Sequence, residues 1–269
     1  MSNERNYDFS DILQSRKFNP DQPPPPEDVI FTIGSKTVGC ASNYCVISGQ
    51  AKAGKSTYLS ATIASAFLPQ GFDVFGIKLH LPRNRYKVAY FDTESSQYDF
   101  WRQMVRIRNL AKLDHFPPGL DAYCTRQDNP KTIRGQIWTY LENNPDCAIV
   151  VVDGFLDLCM DYNDPVETRR LVNWMKLVTG KFNVLMLGVL HLSKGLGETL
   201  GHLGSNTDRW AQSTLIVEKN KEAKQFVLKP KLMRSDEDFE PIAISRWEDR
   251  FIQVPYEITI QQQFKNPKK

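Results

Sequence analysis

The chain has 269 residues, of which 41% are hydrophobic and 11% aromatic, so it can bury one α/β core of about 200 residues with extensions. Its formal net charge of +3 excludes a strong polyanion binder as a whole, so any nucleic-acid binding must come from a local basic stripe or from several subunits lining one channel. No stretch approaches about 18 apolar residues, and neither a membrane span nor a signal peptide is expected.

The cysteines indicate a reducing compartment. There are five, at positions 40, 45, 124, 147 and 159, and they form no C-x-x-C pair. Cys45 and Cys147 lie inside apolar runs, which is typical of reduced packing thiols rather than of zinc ligands or disulfides. A cytoplasmic protein is therefore expected.

Residues 1–28 are predicted to form a flexible tail that ends in a polyproline linker, Pro23–Pro26. Before the linker, Ser10 could cap a short helix that presents Ile12 and Leu13. Such a short apolar helix is marginal alone in water. Two alternatives stay open: the tail docks onto an adjacent subunit, or it is disordered.

The central motif follows two short predicted strands within residues 29–43. An apolar run, Tyr44 to Ile47, leads into GQAKAGKST, which fits the pattern G-x-x-x-x-G-K-[ST]. Behind it, residues 58–67 have helical spacing, and Pro69 and Gly71 predict that this helix ends near residue 68. Strand, glycine loop and helix occur in the order that a phosphate-binding P-loop requires.

The residue types of this loop explain its chemistry. Glycines allow the backbone N–H groups to approach phosphate oxygens, Lys55 reaches the β- and γ-phosphates, and the Ser56 hydroxyl ligates Mg²⁺. ATP and Mg²⁺ are therefore the expected cofactors. The predicted nucleotide-binding residues are Gly49, Gln50, Ala51, Lys52, Ala53, Gly54, Lys55, Ser56 and Thr57.

Two later apolar runs end in carboxylates. VAYFDTE ends at Glu94 and CAIVVVD ends at Asp153, as expected of buried parallel strands that deliver acids to one edge of a sheet. With the P-loop in place, Asp153 is predicted to hold Mg²⁺ through water, and Glu94 to orient and deprotonate the attacking water.

The segments around these runs alternate in character. Residues 72–86 are predicted as a strand or hairpin arm with a turn at residues 82–85, and residues 97–113 as a helix with several arginines off its apolar face. That basic face is either simply solvated or a contact for a subunit or nucleic acid. Asp128 or Asn129 is predicted to cap a further helix with Pro130 at its first position.

The second half continues the alternation. Asp164 and Pro165 open a helix that is expected to end before Gly180, and residues 183–190 form another buried strand that ends at His191. Residues 191–206 are glycine-rich and are predicted to be a mobile loop, whose only candidate cations are Lys194 and His202.

The C-terminal part is predicted to be antiparallel. Residues 213–219 and 224–233 are predicted to form two strands with a turn at residues 220–223, and KLMRS, at the end of the second strand, carries the cations Lys231 and Arg234. Two closing strands follow, and residues 259–269 are expected to be a disordered basic tail.

Taken together, GQAKAGKST, YFDTE, VVVDG, the strand ending in His191 and KLMRS resemble the RecA-like ATPases. The resemblance covers about residues 30–245 and is greatest to the RepA-type group, which includes replicative helicases of plasmids and mobile elements. It implies that His191 contacts the γ-phosphate, and that Lys231 and Arg234 reach the γ-phosphate of a neighbouring subunit as a finger in trans. It also implies a homo-oligomer, such as a hexameric ring, that contacts single-stranded DNA through the glycine-rich loop.

The predicted fold is α/β: a RecA-like, mostly parallel sheet flanked by helices over residues 29–258, with C-terminal antiparallel strands. The leading functional expectation is a ring-forming, DNA-directed ATPase of the helicase type, in replication or mobilisation of a genetic element. The alternative is an ATP-dependent oligomeric switch or loader that binds a protein partner without translocating. A small-molecule kinase is disfavoured, because neither an arginine-rich lid nor a second substrate motif is present.

Overall fold

The structure is a computed structural model that describes residues 9–192, 201–248 and 250–257. Predictions for residues 1–8, for Lys194 and for the tail at 259–269 lie outside the described residues. The proposed boundaries of the ATPase domain, at residues 29 and 258, stay a prediction.

Six helices occur in the described ranges. They are α1 (Ser10–Ser15), α2 (Lys55–Ser65), α3 (Gln97–Leu110), α4 (Pro130–Asn143), α5 (Pro165–Phe182) and α6 (Gly201–Trp210), and a 3-10 helix spans Phe155–Leu158. Three of the starts have the caps that their sequences favour: Ser96, Asn129 and Asp164 accept hydrogen bonds from first-turn N–H groups.

Twelve strands accompany the helices in the described ranges. They are β1 (Val29–Ile33), β2 (Lys36–Cys40), β3 (Tyr44–Gly49), β4 (Ile77–Leu79), β5 (Lys87–Asp92), β6 (Leu120–Cys124), β7 (Cys147–Asp153), β8 (Leu185–His191), β9 (Ser213–Asn220), β10 (Gln225–Met233), β11 (Ile242–Trp247) and β12 (Arg250–Val254).

The main sheet has nine strands in the order β12-β11-β10-β9-β3-β8-β7-β5-β6. From β9 to β6 the neighbours are parallel, whereas β10, β11 and β12 extend the sheet in antiparallel fashion. This arrangement confirms the predicted α/β fold with C-terminal antiparallel strands and is that of a P-loop NTPase.

The core occupies both faces of the sheet. Along β3, Cys45 and Ile47 pack into the cluster that contains α2 and α3 residues, whereas Tyr44 and Val46 pack into the cluster on the α4 and α5 side. Because helices cover both faces of the sheet, the sequence of β3 is a continuous run of apolar residues rather than an alternation of apolar and polar ones. The same holds for β7, all of whose residues are buried.

The topology brings the carboxyl ends of the parallel strands to one edge. In register, Gly49 of β3 lies beside His191 of β8, and Asp92 of β5 lies beside Asp153 of β7. The P-loop, His191 and the acids after β5 and β7 therefore share this edge, where open α/β sheets bind their ligands.

Several details differ from the sequence prediction. α5 does not end before Gly180 as predicted but continues through this exposed glycine to Phe182. The residue in the left-handed conformation that ends the helix is Asn183. Residues 201–206, predicted as loop, belong to α6. β6 was not predicted, and β1 pairs with both β2 and β4 in a separate three-stranded sheet.

Smaller differences concern helix ends. α2 and α3 stop at Ser65 and Leu110, about three residues before the predicted ends. In α1, Ser10 is the first helical residue rather than the cap, and Phe9, Ile12 and Leu13 are all exposed.

All five cysteines are free, and Cys45 and Cys147 are buried as predicted. Within the described ranges, no helix combines the length and the apolar character needed to cross a membrane.

Candidate functional site

The loop between β3 and α2 has the backbone geometry of a phosphate cradle. Gly54, at the N-terminus of α2, has φ of 100°, and a Cβ built there would lie 2.7 Å from the Phe226 ring. A Cβ at Gly49 would lie 2.6 Å from the backbone oxygen of Val217. Both positions therefore require glycine, and the α2 N-terminus is open to an anion.

Lys55 is held at the base of this loop. Its side chain donates hydrogen bonds to the backbone oxygens of Gly49 at 2.9 Å and Gln50 at 3.0 Å. The residue is only 6% exposed, and burial lowers the pKa of its ammonium group, partly offset by the charges of Glu94 and Asp153. A phosphate would supply a stronger acceptor than these neutral carbonyl groups.

One cavity of about 430 Å³ joins three of the predicted catalytic residues, Lys55, Glu94 and His191. It is lined by Ala51, Lys52, Gly54, Lys55, Ser56, Thr57, Glu94, Asp153, His191 and Phe226. Gln50 and Ala53 line a neighbouring cavity of about 560 Å³ on the other side of the loop, and Gly49 contributes its carbonyl group to Lys55. Sequence-distant residues thus meet around the P-loop as predicted for a nucleotide site.

His191 connects Lys55 to Glu94. Its Nδ1 lies 3.3 Å from the Lys55 Nζ, and its Nε2 lies 2.8 Å from the Glu94 Oε1. A neutral ring that carries its proton on Nε2 satisfies both contacts, because Nδ1 then accepts from the ammonium group while Nε2 donates to the carboxylate. Three charged or polar side chains therefore form one hydrogen-bonded chain across the cavity.

The surroundings of Glu94 favour the ionised form of its carboxyl group. The hydrogen bond from His191 holds the pKa of Glu94 below its usual range, against the opposing effect of burial, and the nearby Lys55 adds to the lowering. An ionised carboxylate at the cavity wall is a proton acceptor.

Asp92, two residues earlier, fixes the position of Glu94. Its carboxylate is completely buried and accepts from the backbone N–H groups of Glu94 at 3.0 Å and Ser95 at 2.7 Å. The Tyr90 hydroxyl donates to its other oxygen at 3.0 Å, and Gln103 donates to that hydroxyl at 2.8 Å. Asp92 is therefore a positioning residue, and the turn it closes directs Glu94 into the cavity.

Asp153 and Ser56 are the candidate metal-binding residues, and both line the cavity. Burial raises the pKa of Asp153 to about 8, and the nearby charges of Glu94 and Asp92 contribute. Among the described residues, no three or more His, Cys, Asp or Glu side chains form a metal-binding group. One hydroxyl and one carboxylate fit Mg²⁺, which usually keeps several waters and takes its other ligands from substrate phosphates.

The two predicted trans cations lie elsewhere. Lys231 Nζ forms an ion pair with Asp208 Oδ2 at 2.7 Å, and Arg234 donates to the backbone oxygen of Arg209. Neither side chain lines the cavity around Lys55. His202 lies in α6 and is exposed. The role of Lys231 and Arg234 in trans stays a prediction.

The sequence analysis missed two residues of the site. Phe226 of β10 covers Gly54, and nothing in the pattern KQFVLKPKLM distinguishes it from an ordinary strand residue. The role of Asp92 could have been found, because an Asp two residues before Glu94 and at the end of a strand is typical of a side chain that closes a local turn.

Two comparisons with known proteins bear on this site. Residues 7–197, which are more than half of the chain, match the model of a family described as AAA domain. The match contains the P-loop, Glu94, Asp153 and His191, and it ends before Lys231 and Arg234. No match was found among the curated proteins. The chain therefore belongs to the AAA domain family of P-loop ATPases.

Proposed function

We propose that this chain hydrolyses MgATP in the cavity between the P-loop and His191, with Glu94 as the base. The observation that supports this most is the chain of contacts from Lys55 through His191 to Glu94, at 3.3 Å and 2.8 Å. In this chain the Lys55 ammonium group and the Glu94 carboxylate contact opposite sides of one imidazole ring, which suits a phosphate-binding cation next to a proton acceptor.

The roles of the residues follow from their positions. The backbone N–H groups from Ala51 to Ser56 and the Lys55 ammonium group would hold the ATP phosphates. Ser56 would ligate Mg²⁺ directly and Asp153 would hold it through water, and the cation would neutralise charge on the phosphate oxygens. Glu94, fixed by Asp92, would orient and deprotonate the attacking water.

His191 is proposed to respond to the γ-phosphate. Because it contacts Lys55 on one side and Glu94 on the other, a γ-phosphate bound by Lys55 would compete for the same donor. Loss of the contact with Lys55 would leave His191 free to turn towards the phosphate while Glu94 receives the water. This would couple the nucleotide state to the strand end at β8.

At the level of biology, we propose a ring-forming, DNA-directed ATPase of the helicase type, which serves replication or mobilisation of a genetic element. The support is the resemblance of GQAKAGKST, YFDTE and KLMRS to RecA-like ATPases of the RepA type. In such a homo-oligomer, Lys231 and Arg234 would reach the nucleotide of the neighbouring subunit, and single-stranded DNA would be the partner.

An ATP-dependent switch or loader remains the second candidate. The observation that favours it is electrostatic: the net charge is only +3, and Lys231 is already paired with Asp208. Such a protein would bind nucleotide, oligomerise and engage a protein partner without moving along DNA.

Phosphate release and strand displacement, measured on the same preparation, separate the two. A helicase predicts ATP hydrolysis that single-stranded DNA stimulates, a stimulation that falls steeply with salt, and displacement of a labelled strand from a forked duplex. Hydrolysis without DNA stimulation or displacement would favour the switch. Absence of any MgATP hydrolysis would overturn both proposals.

A further inference from the structure

A further cavity, of about 700 Å³, lies away from the P-loop, between α3 and the hairpin of β11 and β12. Its lining includes two exposed aromatic residues and four arginines, which are Tyr98, Trp101, Arg102, Arg106, Arg246 and Arg250. Among the described residues that line it, none is acidic. We refer to this feature as the aromatic–arginine cavity.

The helical wall of this cavity is a stripe rather than scattered residues. Tyr98, Trp101, Arg102 and Val105 follow the spacing i, i+3, i+4 and i+7, so they share one face of α3. This face adjoins the apolar face by which α3 packs on the core. It accounts for part of the basic surface predicted from the sequence of this helix.

The two aromatic rings are exposed and ordered relative to each other. Tyr98 is 67% exposed and Trp101 is 55% exposed, yet their ring centroids lie 6.1 Å apart at an interplanar angle of 22°. The guanidinium group of Arg102 lies 6.0 Å from the centre of the Tyr98 ring. Flat apolar faces beside a cation form the surface on which nucleobases stack.

The positive charges of this cavity lie close enough together to affect one another. Within the described part of the chain, Arg102 and Arg106 form no ion pair, and burial together with the charges of Arg102 and Arg246 lowers the pKa of Arg106. Arg246 is the register partner of Phe251 on β12, so both side chains lie on the same face of the hairpin. Arginines that repel one another around a cavity favour an anionic occupant.

We propose that the aromatic–arginine cavity binds single-stranded nucleic acid, with bases stacked on Tyr98 and Trp101 and phosphates held by Arg102, Arg106, Arg246 and Arg250. Stacking is tolerant of base identity and phosphate contacts carry no sequence information, so the binding is sequence-independent. The proposal assigns a location for the nucleic-acid partner of the proposed function, distinct from the glycine-rich loop predicted for that role.

This surface is also in contact with the nucleotide site through two rings. Phe251 lines the aromatic–arginine cavity, and its ring centroid lies 6.0 Å from that of Phe226, in an edge-to-face arrangement. Phe226 in turn lines the P-loop cavity and covers Gly54. The ring contact between Phe251 and Phe226 therefore links the lining of one cavity to the lining of the other.

The test is fluorescence anisotropy of labelled oligo-dT with the full chain, without nucleotide, over a range of salt concentrations. Trp101→Ala and Tyr98→Ala should each weaken binding about five- to a hundredfold, the loss of one base stack. Arg102→Gln and Arg246→Gln should each reduce the slope of log affinity against log salt by about 0.7. These side chains are on the surface, so circular dichroism should show an unchanged fold.

Matched controls are Phe72→Ala and Arg170→Gln, which alter an exposed aromatic residue and an exposed arginine elsewhere. Their binding should equal that of the wild type. Equal binding of oligo-rU supports the proposal as well, because the shared chemistry is base stacking and phosphate contact.

Wild-type affinity in all four cavity variants would overturn the proposal, as would an equal loss in the controls. Binding of phosphatidylserine vesicles without binding of oligo-dT would also overturn it and assign the cavity to a membrane surface. Because no hydrolysis is measured, the result is separable from the proposed ATPase: reduced strand binding in the variants stands even if the wild type hydrolyses no ATP.

Discussion

The Nε2 atom of His191 lies 2.8 Å from the Oε1 atom of Glu94, and the other nitrogen of the same ring lies 3.3 Å from the Lys55 ammonium group. His191 ends β8, Glu94 lies two residues after the end of β5, and Lys55 begins α2. The contact between His191 and Glu94 therefore depends on the parallel order of the sheet, and it defines the chemistry of the cavity.

Glu94→Gln should leave MgATP binding intact and slow hydrolysis about 10²- to 10⁴-fold, because the amide cannot accept the proton of the attacking water. Isothermal titration and steady-state phosphate release measure the two effects. Glu142→Gln is the matched control, since Glu142 forms only a peripheral ion pair with Lys181 at 3.5 Å. Normal turnover in Glu94→Gln would show that another acid is the base.

His191→Ala should lower turnover about 10- to 100-fold with little change in ATP affinity, since it removes a hydrogen bond to a charged group, worth about 1.5–3 kcal/mol. The double variant with Glu94→Gln is the informative measurement. If His191 acts through Glu94, the two losses are not additive. Fully additive losses would contradict the proposed coupling between these residues.

Asp153→Asn should raise the Mg²⁺ concentration needed for half-maximal hydrolysis about 10- to 100-fold, the usual loss for a group that contacts a metal through an outer-shell partner. A magnesium titration of the hydrolysis rate measures this. Asp146→Asn serves as control, because Asp146 lies next to the opposite end of β7 and pairs with Lys87 at 3.1 Å. Equal magnesium requirements in wild type and Asp153→Asn would remove Asp153 from the metal site.

Arg234→Ala and Lys231→Ala should each reduce turnover of the oligomer, by up to about 10³- to 10⁵-fold if the residue is a finger in trans. Nucleotide binding by the monomer should be unchanged. Lys229→Ala is the control on the same strand, two residues from Lys231 and paired with Glu218.

The decisive arm mixes Lys55→Ala subunits with Arg234→Ala subunits. A finger in trans restores some activity in the mixture, because intact P-loops then meet intact arginines. No recovery at any ratio would show that these cations have only the structural contacts seen within one chain, to Asp208 and to the backbone of Arg209.

Much of the fold could be predicted because the buried strands have a one-dimensional signature. β7 and β3 are covered on both faces, so their apolar runs and terminal polar residues were visible in the sequence. β6 was not visible: it is an edge strand, none of its residues is fully buried, and Asp121 interrupts LDAYC. Gly180 misled the prediction, because an exposed glycine costs a helix only about 1 kcal/mol.

The candidate site was predictable in its components but not in its connections. The P-loop pattern and the strand-terminal acids identify Lys55, Glu94 and Asp153 as candidates. That His191 contacts two of the site's charged groups at once depends on the strand order, which no local pattern encodes. The same is true of Phe226, which reaches the P-loop only because β9 places β10 near β3.

The central claim is that Lys55 binds the phosphates of MgATP for hydrolysis in this cavity, and titration of the full chain with MgATP, followed by phosphate release, tests it most directly. Wild type and the control Lys131→Ala, an exposed lysine in α4, should bind and hydrolyse MgATP. Lys55→Ala should lose binding or hydrolysis, because Lys55 is the buried cation at the base of the loop, whereas the other lining lysine, Lys52, is exposed. Unchanged affinity together with unchanged turnover in Lys55→Ala would contradict the account.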